Sequence, residues 1–457
     1  MCKKQWIFFS SNQGYALTSV LFLLSILTLL ALSTLLVQHF QRILTLADIA
    51  RVKADYACES GIDKTLSEMD SLSQLLSGKS PLTRSYVMPD ESEAQVNVFP
   101  WGVFLAAVAE GRFRSFKTSE TAILADHPGS RFDKALLYMN SSHQLTFTGT
   151  SSVVGDILVG EPGVTIGNLH NYTTPIHIPV TGEIHKEKNP ELPAFSIPFL
   201  DEQLASFDSI LSSTGSATAT ISEPEDSLHL GLIKDCVREV RIRGDYSLTG
   251  TLIRSAIPLS IYVSGHASVK RTAKLYGLIE LVASSGIEVE RGAAIKGAIL
   301  CSRDSIGVAE GCQLSAQLIS PRLNIRGSCV LKYPSVVYST PLGTRDSAVQ
   351  SIELADNTRV EGFVALNARQ LLPQREPTIM IDEPAKVVGA VYSNSRVTLD
   401  GCVIGTVITK DFYFYDSPTS YLGWLRSGRI TRNKLPSGFL VPPCFSESVR
   451  LSVLEWL

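Results

Sequence analysis

The sequence predicts an α+β chain: a long N-terminal transmembrane helix, a small β-rich head, then a β-helix (solenoid) domain. Three observations carry this reading. Tyr15 to Val37 is a run of 23 residues without a charge. Residues 85–139 fall into short apolar runs of strand type. After residue 150 the pattern aliphatic-x-Gly-x-aliphatic recurs at least eight times, where composition alone predicts roughly two matches.

At 1.5 Å per residue the uncharged run reaches roughly 35 Å, enough to span a bilayer with some tilt. It is too long for a signal-peptide core, and no small-x-small cleavage site stands at its end. Lys3 and Lys4 on one side compete with Arg42, Arg51 and Lys53 on the other, so charge alone leaves the orientation open. Beyond the run, Ala47, Ala50, Ala54, Ala57 and Gly61 are spaced 3, 4, 3 and 4, a heptad stripe of small residues. Small side chains let another backbone approach closely. That backbone is either another helix in an assembly or this chain's own β domain. The helix is expected to run to about Leu76, with Gly78 and Pro81 as the stop.

Gly14 is followed by Tyr15-Ala16-Leu17-Thr18-Ser19-Val20, a serine- and threonine-flecked apolar run, and then ADIARVKADYACESGIDKTL. Over about residues 10–70 this resembles the N-terminus of type IV pilin-like proteins, closest to minor pilins and minor pseudopilins. The resemblance implies cleavage after Gly14 by a prepilin peptidase, with Tyr15 as the mature N-terminus. It also implies a single inner-membrane span, the bulk of the chain periplasmic or extracellular, and other pilin-like or envelope proteins as partners. One position departs: major pilins carry glutamate at the fifth mature residue, and here that residue is Ser19.

The head follows from strand patterning. Gln95 to Phe99 alternates, Trp101 to Val108 is a fuller apolar run, and Glu110-Gly111 turns into Arg112 to Lys117. A small antiparallel sheet fits, and the long helix is expected to dock on it. Boundaries are expected at 1–78 for the helix, 79–142 for the antiparallel domain, 143–410 for the solenoid and 411–457 for a C-terminal cap. An insertion at about 186–240 interrupts the solenoid. It holds the connector NPELPAFSIP and an amphipathic stretch with Leu204, Phe207, Ile210 and Leu211 on one face.

The repeat glycines are Gly155, Gly182, Gly250, Gly277, Gly297, Gly362, Gly389 and Gly405, and Ala316 replaces the glycine in a ninth copy. Leu275, Ile295 and Leu314 are 20 and 19 residues apart, and Val387 to Val403 is 16. These spacings suit one coil of a β-solenoid, whose coils stack because none buries its own interior. Alternation places Ile295, Gly297, Ile299 and Cys301 on one face and Lys296, Ala298 and Leu300 on the other. Leu275, Gly277, Ile279 and Leu281 repeat that phase, as do Val403, Gly405, Val407 and Thr409. An inward glycine is expected to make room for a larger side chain from the opposite wall. A β-sandwich with coincidental glycine spacing is the alternative. The repeat also resembles bactofilins over about 150 residues, which implies polymerisation through open solenoid ends. Phe412 to Tyr415, an aromatic strand, opens a segment expected to cover one such end.

Chemistry is sparse. A net charge of −3 gives no basic face for nucleic acid. The eight cysteines include no C-x-x-C pair, so neither a zinc site nor a thioredoxin motif is indicated. Cys312, Cys329 and Cys402 each follow a glycine within two residues, suggesting equivalent turn positions and buried free thiols. Gly78-Lys79-Ser80 mimics the end of a P-loop, but Ser73 stands where the first glycine belongs. No H-E-x-x-H or G-x-S-x-G occurs. His170, His177 and His185 match no standard ligand spacing and read as loop histidines. Arg426, Arg429, Arg432 and Lys434 read as a solvated basic face. So do the mixed charges Lys270, Arg271, Lys274, Glu280, Glu288, Glu290, Arg291, Lys296, Arg303 and Asp304. No catalytic residue, cofactor or metal site is assigned.

The expected function is a membrane-anchored, non-enzymatic envelope protein, a structural or adhesive component of a pilus- or secretion-like assembly. The rivals are a tethered β-helix enzyme acting on polysaccharide, marked by a carboxylate pair about 5–10 Å apart, and a self-polymerising bactofilin-like scaffold.

Overall fold

Helix α1 runs unbroken from Gln13 to Ser67, 55 residues or about 80 Å. The computed structural model describes residues 13–69, 81–188, 190–193, 220–221, 239–250, 252–341, 349–368, 376–443 and 450–457. The helix ends at Ser67, short of the expected Leu76, and Glu68 and Met69 leave it. Gly78, the P-loop mimic and the amphipathic stretch of the insertion lie outside the described residues.

Four strands follow: β1 (Leu82–Val87), β2 (Glu93–Trp101), β3 (Phe104–Phe113) and β4 (Phe116–Asp126). They pair antiparallel in sequence order through tight hairpins, with Trp101 opposite Phe104 and Phe113 opposite Phe116. Alternating side chains give this sheet two buried faces. Val96, Val98, Leu105, Ala107 and Leu124 pack with Cys58 and Ile62 of α1. Phe104, Ala106, Val108, Ile123 and Ala125 pack on the solenoid. The head is thus the middle of three layers, and the near-continuous apolar run from Trp101 to Val108 is the mark of a sheet covered on both sides.

The fifth strand of the head is Leu451–Trp456, paired antiparallel with β4. This differs from the expected end cap after residue 410. The last strand of the chain is a structural member of the domain that begins near residue 82.

The solenoid consists of parallel coils, each a long strand bent at the repeat position followed by a short strand. Lys274–Ala283 with Gly286–Val289 and Arg359–Leu366 with Thr378–Ile381 are two such coils. Their interior is one continuous core of aliphatic side chains, including Leu275, Ile279, Leu281, Val360, Val364 and Val387. Successive coils stack in register, Ile253 beside Leu275, Leu331 beside Val360, and Val387 beside Val403.

The stack does not follow chain order throughout. Val403 is next to Ile430, Ile430 is next to Val153, and Val153 is next to Val180. The strand β5 (Leu136–Tyr138) pairs with Val407–Thr409. The chain therefore enters the solenoid internally, runs outward to Val180, then crosses to the far end and stacks back towards its own starting point. The crossing links the coil of Ile184 to the strand Thr220–Ile221, one coil beyond that of Val240, and at about 4.8 Å per coil it covers roughly 60 Å. That distance gives the long insertion a physical reason. Within the insertion, Thr220–Ile221 forms a short strand parallel to Arg241–Ile242, and the Pro193 carbonyl accepts a hydrogen bond from Tyr392 Oη at 3.0 Å.

Two details of the repeat differ from expectation. First, the phase slips at Gly297. Tyr276 pairs with Lys296 but Glu280 pairs with Ile299, so this coil is one residue shorter at the bend. Ala298 and Leu300 then join the solenoid core, while Ile299 and Cys301 turn outward to the head. Second, the glycines serve the bend rather than the opposite wall. Gly362, Gly389 and Gly405 have φ of +142°, +145° and +143°, where L side chains are strained. A Cβ on Gly389 would lie 1.8 Å from the Gly362 carbonyl oxygen, and one on Gly405 1.7 Å from that of Gly389. Gly250 is not of this set. It lies in the turn after Leu248, which pairs with Val269, and a Cβ there would meet nothing within 4 Å.

Candidate functional site

The features with a functional bearing are α1, its seat on the head, and the polar clusters of the solenoid. Gly14 and Tyr15 lie in the first turn of α1. From Leu17 to Leu46 the helix stands free of the rest of the chain, with Phe22, Leu29 and Leu35 among its exposed side chains. It is long and apolar enough to cross a membrane. Several of its hydroxyls bond within the helix: Thr28 Oγ1 donates to the Leu24 carbonyl at 3.0 Å, and Thr34 Oγ1 to that of Leu30 at 2.8 Å. Local pairing of this kind is what an apolar surrounding requires, since unsatisfied polar groups there cost several kcal/mol.

The small-residue stripe sits on the chain's own head sheet. Ala47 is half-buried, and Ala50, Ala54, Ala57 and Gly61 are buried. The approach is close: a Cβ on Gly111 of β3 would lie 2.0 Å from the Ala54 carbonyl oxygen. One on Gly61 would lie 2.8 Å from Ala94 Cβ. Glycine and alanine here let helix and strand backbones approach closely. Burial pushes the Cys58 thiol up to about 11, so it is an inert core group. The opposite side of the helix keeps Ile49, Val52 and Tyr56 exposed at 48%, 48% and 63%.

The head is fastened to the solenoid by polar bonds that no local motif signals. Gln317 bonds both Trp101 and Val103 in the hairpin between β2 and β3. Trp101 Nε1 donates to the Gly297 carbonyl at 3.2 Å, and Thr121 Oγ1 to that of Ala256 at 2.8 Å. Lys296 pairs with Glu455 at 3.2 Å, so this residue of the mixed-charge face is a tether. Glu280 departs further from a solvated role. It is 4% exposed, and burial pushes its carboxyl up to about 7 despite the hydrogen bond from Ser260 Oγ.

Inside the stack, where the chain's first coil lies beside its last, Asp411 acts as a clasp. Its Oδ1 accepts from Tyr138 Oη at 3.1 Å and from the Gly423 amide at 2.8 Å. Its Oδ2 accepts from Asn140 Nδ2 and lies 3.0 Å from His143 Nδ1. An Asp–His pair can orient a general base, but here the carboxylate is shared among four groups that join the first coil to the last. Arg426 is likewise structural rather than free. It forms a two-pronged ion pair with Asp400, donates to Tyr172 Oη at 3.0 Å, and lies over the Phe414 ring. Arg432, in the slot that Gly155 and Gly405 fill in neighbouring coils, donates to the Phe132 carbonyl at 2.6 Å.

Asp382 and Asp400 stand at equivalent turns of successive coils. Burial, then Asp356 and Asp400, holds the Asp382 carboxyl above its ordinary range. Asp400 is committed to Arg426. His170 and His177 are exposed, and His185 lies 3.5 Å from Glu183. Among the described residues no group of three or more His, Cys, Asp or Glu side chains is placed to hold a metal ion.

No family model matches the chain, and no curated protein matches it. Among solved structures it is similar to the competence-associated pilin ComZ from Thermus thermophilus, at 10% identity, covering 89% of this chain and 97% of that one. The TM-score is 0.19, which does not establish a shared fold.

Proposed function

We propose that the protein is a membrane-anchored, non-catalytic envelope component in which a pilin-like helix presents a β-solenoid as a structural or adhesive part of a pilus- or secretion-like assembly. The observation that carries this is the division of α1. Its first half is apolar and free of the rest of the chain, while its last third is locked into the head by residues too small to keep the backbones apart. The head in turn is packed onto the solenoid, which links the anchor to the solenoid through a continuous packed layer. The anchor crosses the inner membrane once and the solenoid lies on its outer side, periplasmic or extracellular. Its partners are the helices of other pilin-like or envelope proteins, lying along the exposed side of α1 at Ile49, Val52 and Tyr56, where the apolar surface of the anchor continues past the span. Intact-mass analysis of the membrane-extracted protein tests the pilin-type processing. A chain beginning at Tyr15 is expected; one that keeps residues 1–14 removes that part of the proposal.

A further inference from the structure

We propose that Cys312 and Cys329 are joined by a disulfide in the mature protein, a covalent staple between two neighbouring coils of the solenoid. The register sets them side by side. Gln313 pairs with Val330 and Leu314 with Leu331, so the residues just before them, Cys312 and Cys329, occupy the same position one coil apart. The Val330 amide donates to the Cys312 carbonyl at 2.8 Å, which fixes the two backbones as neighbours. Adjacent parallel strands lie about 4.8 Å apart, inside the Cα–Cα range of about 4.4–6.8 Å that a disulfide spans. Both side chains are fully buried, and the two thiols are within hydrogen-bonding reach of each other.

The position itself asks only for a small side chain. In other coils it holds Ala273, Thr358 and Ala385, whose carbonyls accept from the next coil in the same way. Two thiols at consecutive levels of such a stack exceed what packing needs. The other described cysteines have no such arrangement: Cys58 is in the helix–head core, Cys301 faces the head, and Cys402 pairs with Lys386, one residue beyond the small-residue position. This corrects the expected equivalence of Cys402 with the other two.

The reaction is thiol–disulfide exchange with a disulfide-bearing oxidant. One cysteine thiolate attacks the oxidant's disulfide, forming a mixed disulfide and releasing one oxidant thiol. The second thiolate attacks the protein sulfur of that mixed disulfide and releases the other. The two cysteines lose two protons and two electrons, and the oxidant's S–S bond takes them up as two thiols. Because the folded coils bury both sulfurs, the exchange belongs to folding, before the coil of Cys329 closes over that of Cys312. The inference rests on the proposed location of the solenoid outside the cytosol, where disulfides persist.

The test is peptide mass spectrometry of full-length protein taken from membranes, acid-quenched, denatured and alkylated with N-ethylmaleimide without reductant. A cross-linked Cys312–Cys329 peptide, lighter by two hydrogens than the reduced pair, is expected, and it disappears in Cys329→Ser. Finding both cysteines alkylated overturns the inference. The purified chain, unfolded and refolded in a glutathione redox buffer, then identifies the cause. A link that forms there but not in cells means that the location is wrong, whereas no link in either means that the geometry is wrong.

Discussion

Gln317 stands in for a missing backbone neighbour of Trp101. Its Nε2 donates to the Trp101 carbonyl at 3.0 Å, while its Oε1 accepts from the Val103 amide at 2.8 Å. A solenoid side chain thereby satisfies both polar groups at the tip of a buried hairpin. Gln317→Leu keeps the volume and leaves a buried donor and a buried acceptor unpaired. Each such group costs about 1–3 kcal/mol, so a loss of roughly 2–4 kcal/mol in chemical unfolding is expected. A loss under about 0.5 kcal/mol would mean that water satisfies the hairpin and the clamp is incidental.

The repeat glycines divide into two classes with different expected costs. Gly389→Ala forces a Cβ against the Gly362 carbonyl at a φ of +145° and is expected to cost several kcal/mol. Gly250→Ala, with φ +64° and open space around it, is expected to cost about 1 kcal/mol. Equal losses in urea unfolding would show that the close carbonyl approach is not the reason for glycine.

Much of this architecture was legible because it is local. The uncharged run, the small-residue stripe and the stacked glycines are each patterns within a few dozen residues; α1 spans the first two, and the coils bend at the third except at Gly250. The stripe's partner was not legible, since an alanine face suits a strand as well as a helix. The phase slip at Gly297 was hidden because one missing residue at a bend leaves the same five-letter pattern. The joining of Leu451–Trp456 to β4, and of Ile430 between Val403 and Val153, involves partners roughly 300 residues apart and leaves no periodic trace. Asp411 and Gln317 are single polar residues whose roles exist only after those long-range pairings form.

Glu280 makes stability depend on pH. Its folded-state pKa is about 7 against an ordinary 4.5, so the folded chain binds this proton more tightly than the unfolded chain does. The stabilisation is complete below about pH 4.5 and is lost as the pH rises to about 7. Glu280→Gln keeps an acceptor for Ser260 and removes the charge. At pH 8 the variant is expected to be more stable than the parent by roughly 2–3 kcal/mol, with the gap closing towards pH 5. A gap that is constant across this range would place the titrating group elsewhere.

Asp411→Ala releases Tyr138, Asn140, His143 and the Gly423 amide together. The damage is expected at the junction of the first and last coils rather than throughout the stack. Hydrogen exchange at Leu136–Tyr138 and Val407–Thr409 should speed up at least tenfold, with the coil of Leu275 unchanged. Uniform acceleration would indicate that the stack opens as one unit and that Asp411 is no local clasp.

The two sides of α1 are expected to respond differently to mutation. Ala54 is fully buried, and its carbonyl is the group that a side chain on Gly111 would strike. Ala54→Leu must push the helix off the head and is expected to cost about 1–3 kcal/mol or more through overpacking. The change should be visible in thermal unfolding of the full-length protein in detergent. Val52 and Tyr56 face away and touch no core, so Val52→Ser with Tyr56→Ser is expected to leave unfolding within about 0.5 kcal/mol of the parent. If neighbouring envelope helices lie along that side, the double variant should lose co-purification with them from crosslinked membranes while remaining folded. The reverse result, normal unfolding but lost association in Ala54→Leu, would make the small-residue stripe the assembly surface and its seat on the head a secondary contact.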